Sequence, residues 1–414
     1  MAQALKFGKG VWATKTGSSM AYSDTNDRYK PLPFNVERDS IATRVNKEGL
    51  IEVVGHDKLR IDYTDTDKGV ALLENTSTNL IPYSNDFSQS IWAKENGGTG
   101  NVPLVTSNID ISPDGTSNAD KIVFDLNGGT TSSDLSQLRF SLSSLSGNYT
   151  NSIYLKSFDG NSYNISILDP NGVLNTATIT NEWKRFQYHN GGGTTSSNPF
   201  RIRLRGSEAT SDNATLLIFG AMLEQNSIAS SYIPTSGSAV QRAADVANNA
   251  GNSEVFNDSS GVLYLNINYK NIQSAWQGIA LTNNNSADNR IFIGVANNTK
   301  NLEVYFVSGA STLWQPDFEL SKINQFQKIA LKYKANDLAL FVNGFEVATN
   351  NSVTTMPVGL SLLGFFGYST VEPQYGCTKE IGYYDEILTD AELETLTSYR
   401  SLSELVKELN LNTL

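Results

Sequence analysis

Leu338-Ala339-Leu340-Phe341-Val342-Asn343-Gly344-Phe345-Glu346-Val347-Ala348 decides the fold class. Two apolar-rich runs flank an Asn-Gly pair. A type I′ turn needs positive φ at both central residues, and Asn-Gly supplies it at the least steric cost. The stretch is therefore predicted to be a two-residue β-hairpin. Working outward, residues 262–269, 290–295, 302–307 and 328–333 alternate polar and apolar side chains, as half-buried antiparallel strands do. The block 255–388 is expected to be a β-sandwich.

Upstream, residues 152–156, 163–167, 183–188, 200–205 and 215–219 repeat the pattern between Gly/Ser/Asn/Thr clusters such as Gly191-Gly192-Gly193-Thr194-Thr195-Ser196-Ser197. Many short strands with such turns predict a second sandwich over 86–243. Residues 244–254, rich in Ala and Asn, read as the connector. Residues 1–85 hold β runs of a few residues, too closely spaced for crossover helices, and read as an extended β-rich module. In the tail, 389–414, Thr389-Asp390-Ala391-Glu392 fits a capping box. The leucines that follow predict a short helix, either packed on the third block or self-associating. The fold class expected is all-β: two tandem antiparallel, jelly-roll, lectin-like sandwiches with a C-terminal helix.

Composition narrows the function classes. The 414 residues leave room for two to three domains of roughly 150 residues. Lys and Arg number 31 against 42 Asp and Glu, a net charge of -11. Nucleic-acid binding needs a basic face that releases counterions, and anionic bilayers attract basic segments, so neither partner is expected. No apolar run approaches the roughly 18 residues of a membrane span, and the N-terminus lacks the apolar core of a signal peptide. Only 18% of residues are charged, whereas Asn, Ser and Thr number 43, 45 and 34. Polarity is carried by neutral side chains that favour turns and suit uncharged ligands. A single cysteine, Cys377, excludes an intrachain disulfide framework. The two histidines, His56 and His189, lie in no zinc motif.

Thr43-Arg44-Val45-Asn46, Gly49-Leu50-Ile51-Glu52, Arg60-Ile61-Asp62-Tyr63-Thr64 and Leu72-Leu73-Glu74 match, in order and spacing, a module of bacteriophage virion proteins. Thr78-Asn79-Leu80-Ile81-Pro82-Tyr83-Ser84-Asn85-Asp86-Phe87 and Trp92 extend the match. Phe219-Gly220-Ala221-Met222-Leu223-Glu224, Ser231-Tyr232-Ile233-Pro234-Thr235 and Arg242-Ala243-Ala244-Asp245 resemble the end of the carbohydrate-binding-type sandwich that follows it. The hairpin at 340–344 and residues 381–393 resemble a concanavalin A-like, laminin-G-like domain. The chain thus resembles a phage head or tail fibre. The resemblance implies a homotrimer on the virion surface, made in the host cytoplasm. It implies attachment to other virion proteins through 1–85 and binding of bacterial surface glycans through the sandwiches.

Catalytic signatures are missing from the sequence: no Glu-x-Asp-x-x-Glu strand, Gly-x-Ser-x-Gly elbow, P-loop or solenoid repeat occurs. A binding protein is expected rather than an enzyme. The alternatives are an architectural virion protein that binds no glycan and a tailspike-like depolymerase. Sugar sites stack an aromatic face on the C–H face of the ring and bond its hydroxyls with polar groups. Trp276 and Trp314, in loop-like contexts, are the first candidates, followed by Tyr305, Tyr368 and Trp92. Trp183 alternates within a strand and is expected in the core. No cofactor is expected; calcium could bind at Asp62-x-x-Asp65-x-Asp67 or Asn283-Asn284-Asn285-x-x-Asp288 through hard oxygen ligands.

Overall fold

The computed structural model describes residues 5–8, 22–23, 29–30, 34–64, 68–270, 275–367 and 373–409. The chain is all-β apart from two short C-terminal helices, Asp390–Thr397 and Leu402–Leu409. It forms two compact units. The first comprises residues 1–39, 55–75 and 244–414, the second 40–54 and 76–243. Among the described residues no helix is long and apolar enough to cross a membrane.

In the first unit one sheet runs Phe345–Asn350, Leu338–Val342, Gln327–Lys334, Ser260–Tyr269, Gly376–Tyr384, Val70–Leu73 and Arg60–Asp62. Leu5–Gly8 also pairs with Gly376–Tyr384. The second sheet runs Ser311–Trp314, Asn301–Ser308, Arg290–Val295, Gln277–Thr282 and Leu362–Gly364. Alternate residues of both sheets meet in one core that includes Leu263, Leu265, Ile279, Ile291, Val304 and Leu331. The predicted hairpin is present: Val342 pairs with Phe345, and Asn343 and Gly344 turn at φ 51° and 89°. The capping box is also present, with Thr389 Oγ1 accepting from the Glu392 amide and the Glu392 carboxylate from the Thr389 amide. Leu393 of this helix is buried with Val262, Tyr264, Ala330 and Phe341 of the first sheet.

In the second unit one sheet runs Trp92–Gly97, Leu135–Phe140, Phe200–Arg205, Tyr163–Leu168 and Leu174–Ile179. The other runs Asn101–Asp110, Ala119–Asp125, Asn213–Glu224, Thr150–Ser157 and Lys184–His189. Ile122, Phe124, Leu138, Ile153, Ile165, Ile202 and Leu216 fill the space between them.

The described parts of the N-terminal 85 residues are divided between the units. Arg60–Asp62 and Val70–Leu73 extend a sheet of the first unit. The hairpin Ala42–Val45 with Ile51–Val54 belongs to the second, where Ile51 packs on Phe219, Met222 and Tyr232. Residues 244–254 are no free connector. Val246–Asn248 pairs with Asn35–Glu37, and Ala250 exchanges backbone hydrogen bonds with Leu363. The small side chains of Ala247 and Ala250 let this segment enter the core.

A buried ion network fixes it there. Arg38 donates to Asp245 at 2.8 Å, and to the carbonyls of Lys58 and Gly55. Arg60 donates to Glu74 at 2.7 Å and to the second oxygen of Asp245. Two guanidiniums, of Arg38 and Arg60, are thus set against the carboxylates of Glu74 and Asp245. Removing one partner of such a buried pair typically costs about 3–5 kcal/mol.

Candidate functional site

On the strand Arg290–Val295, Ile291, Ile293 and Val295 enter the core, and alternation turns Arg290, Phe292 and Gly294 outward. Register places Ala280 and Tyr305 on either side of Phe292, and Gly278 beside Gly294. A Cβ on Gly278 or Gly294 would come within 2.3 or 2.2 Å of the Phe292 ring. The far end of the ring therefore occupies the space over both glycines, which a larger residue at either position would need.

Trp276 and Tyr305 complete the cluster. The Trp276 ring stands edge-on to Tyr305 at 5.2 Å between centroids and to Phe292 at 6.3 Å. The Arg290 guanidinium lies 5.5 Å from the centroids of both Phe292 and Tyr305, within cation–π range. Phe292 is buried, whereas Trp276 and Tyr305 are half-buried and Gln315 is exposed. Gln315 donates to the Tyr305 hydroxyl at 3.0 Å and to Glu303 at 2.9 Å. The result is an aromatic step with amide, carboxylate and phenol groups at its rim and the buried Arg290 guanidinium packed beside the rings. Such a surface can stack a sugar ring and bond its hydroxyls. A glycosidase needs two carboxylates across the bond; within this cluster Glu303 is the one acid.

Two of the five candidates, Trp276 and Tyr305, thus meet in one cluster. Trp314 is not in a loop as expected: it ends the strand Ser311–Trp314, pairs with Phe306 and is half-buried against the core. Trp92 cannot present a face to a ligand: it is 0% exposed, packs on Phe87, Phe140 and Phe200, and donates its indole N–H to the Tyr83 carbonyl. It opens the strand Trp92–Gly97 and belongs to the core between the two sheets of the second unit. Tyr368 lies outside the described residues, as do Asp65 and Asp67 of the first calcium candidate. In the second, Asn283 donates to the Val358 carbonyl and Asn285 to Asn249, so both amides tie loops together. Among the described residues no group of three or more His, Cys, Asp or Glu is placed to hold a metal ion.

Sequence reasoning missed Phe292, Arg290, Glu303 and Gln315. The available signal was the pair of glycines inside strands, which marks close approach of another group. It also misplaced Trp183. That residue is half-buried and lines an open cleft of about 340 Å³ in the second unit, with Leu50, Ile111, Tyr154 and Lys156. Its indole N–H donates to the Ile111 carbonyl at 3.1 Å, which fixes the ring at the surface.

No protein-family model matches the sequence, and no curated protein sequence matches it. Solved structures show a remote likeness. The CBM40 of the Ruminococcus gnavus IT-sialidase, bound to alpha2,3 sialyllactose, shares 14% identity at a TM-score of 0.31 over 36% of this chain and 92% of its own. A leech intramolecular trans-sialidase shares 19% at 0.28, over 34% of this chain and 23% of its own. The heptameric SAP-like pentraxin of Limulus polyphemus shares 15% at 0.27, over 34% and 71%.

Proposed function

We propose that the protein is a non-catalytic glycan-binding protein that uses the Trp276–Tyr305–Phe292 step as a sugar platform. The observation that supports this most is the preassembled cluster: half-buried Trp276 and Tyr305 rings packed on the buried Phe292, which two strand glycines accommodate, with Glu303 and Gln315 at the rim. The N-terminal resemblance to phage virion proteins supports a further place for it, as a head or tail fibre on the virion surface. In that role it would assemble as a homotrimer, join other virion proteins through its N-terminal segments and bind bacterial surface glycans.

Glycan-array binding with wild type and Trp276→Ala tests the platform. A defined set of glycans bound by wild type and lost on substitution is the expected result. Retention of all binding by Trp276→Ala would overturn it, and wild type that binds nothing would favour an architectural role. Sedimentation on the same sample tests assembly: a species of three times the 45.2 kDa chain is expected, and a monomer would sink the fibre reading.

A further inference from the structure

The outer face of the sheet centred on Phe200–Arg205 carries a row of arginines. Phe200, Ile202 and Leu204 enter the core, so Arg201, Arg203 and Arg205 point the other way. Register sets Arg139 directly beside Arg201, and sets Gln137 and Ser166 on either side of Arg203. Like charges at directly opposed positions repel.

Two carboxylates answer four guanidiniums. Glu95 takes Arg139, through Nε at 3.0 Å and through Nη2. Glu208 takes Arg203 at 3.2 Å, Arg205 at 3.3 Å and the Ser166 hydroxyl at 2.5 Å. Arg201 is left over: its side chain makes no hydrogen bond or ion pair with any described residue. Its Nε is buried without a partner, and so is the Nε of Arg203. The fork of Arg201 reaches the Gly172 turn, where an added Cβ would stand 3.1 Å from Nη2. Glycine there leaves the guanidinium uncovered, and Arg201 is only half-buried. Burial, then the charges of Arg203 and Arg139, hold its guanidinium below the ordinary arginine range, with the Glu95 carboxylate opposing them from a distance longer than an ion pair.

A guanidinium fork matches two oxygens of an oxyanion in parallel. The neighbouring strands add neutral hydrogen-bonding groups on the same face, Asn164, Thr176 and Thr178. We propose that Arg201, flanked by Arg139 and Arg203, anchors a second binding site that takes the carboxylate or sulfate group of an acidic saccharide. It lies on the second unit and is independent of the Trp276 platform.

The test uses the full chain with methyl β-glucuronide, galactose 6-sulfate and methyl β-glucoside as probes. Arginine Nε–Hε signals in NMR should shift for Arg201 and Arg203 with an acidic probe and stay still with the neutral one. The two acidic probes separate carboxylate from sulfate recognition. Arg201→Gln should weaken acidic-probe binding at least tenfold and melt no lower than wild type, because it removes a repulsive partner. Trp276→Ala should leave this binding intact, so failure of one site is distinguishable from failure of the other. Unshifted Nε–Hε signals with both acidic probes would overturn the proposal, whether or not the variant folds. So would undiminished acidic-probe binding by Arg201→Gln.

Discussion

Asp120 and Asp134 show how one residue type acquires opposite pH behaviour from its surroundings. Asp120 is buried; its two oxygens accept from the amides of Phe87 at 2.9 Å and Asn108 at 3.0 Å. Burial outweighs those bonds and lifts its pKa from 3.8 to about 6. The folded chain then holds this proton more tightly than the unfolded chain. The stability that follows is present in full below pH 3.8 and is lost as pH rises through about 6. Asp134 is held well below its ordinary range, first by the Thr131 hydroxyl and then by the amides of Thr99 and Thr131. Its contribution is present above pH 3.8 and disappears as pH falls. Urea unfolding of wild type and Asp120→Asn from pH 4 to 7 separates the two. The wild-type minus variant difference should fall between pH 4 and 6.5; a flat difference would mean that Asp120 is ionised throughout. Neither behaviour was legible in the sequence, because burial of a single Asp depends on which loop covers it.

At the scale of the element, legibility followed alternation. The Asn343-Gly344 hairpin, the strands over 262–269, 290–295, 302–307 and 328–333 and the capping box at Thr389 are legible, because each carries a local geometric requirement, whereas Gln277–Thr282 and Ser311–Trp314 are not. Trp92–Gly97, Asn101–Asp110, Ala119–Asp125 and Leu135–Phe140 were not singled out. Asn101–Asp110 bears Thr, Ser and Asn where an apolar partner is expected, and Pro103 interrupts it, which an edge strand tolerates. The candidate site was half legible: aromatic residues could be named, but the register that joins Trp276 to Tyr305 arises from three strands. Gly294→Ala probes that register. Its Cβ would stand 2.4 Å from the Gln277 carbonyl, which cannot rotate away, and 2.2 Å from the Phe292 ring. Forced overpacking of this kind costs about 1–3 kcal/mol, which should appear as a lower melting temperature. Because Phe292 supports Trp276, sugar binding should weaken with it; unchanged affinity would separate Phe292 from the platform.

For the whole molecule, sequence blocks and structural units diverge because strands pair across long separations that composition does not record. The buried Asn79 side chain donates to the carbonyls of Ala221 at 3.1 Å and Ile233 at 2.9 Å, more than 140 positions away. Ser77 donates to the buried Glu224 at 2.6 Å, and Ile51 closes the patch of Phe219, Met222, Tyr232 and Ile233. A fragment cut at the sequence boundary, residues 86–243, keeps both sheets of the second sandwich yet loses every one of these contacts. Exposing a core isoleucine site costs about 2–5 kcal/mol, and each abandoned buried hydrogen-bonding group about 1–3 kcal/mol. For a domain of this size that sum lowers the melting temperature by roughly 10 °C or more. Residues 40–243, with 55–75 as a tethering loop, should melt in one cooperative step, whereas 86–243 should melt lower and bind a hydrophobic dye before unfolding. Equal melting temperatures would show that the N-terminal segments decorate this sandwich without completing its core.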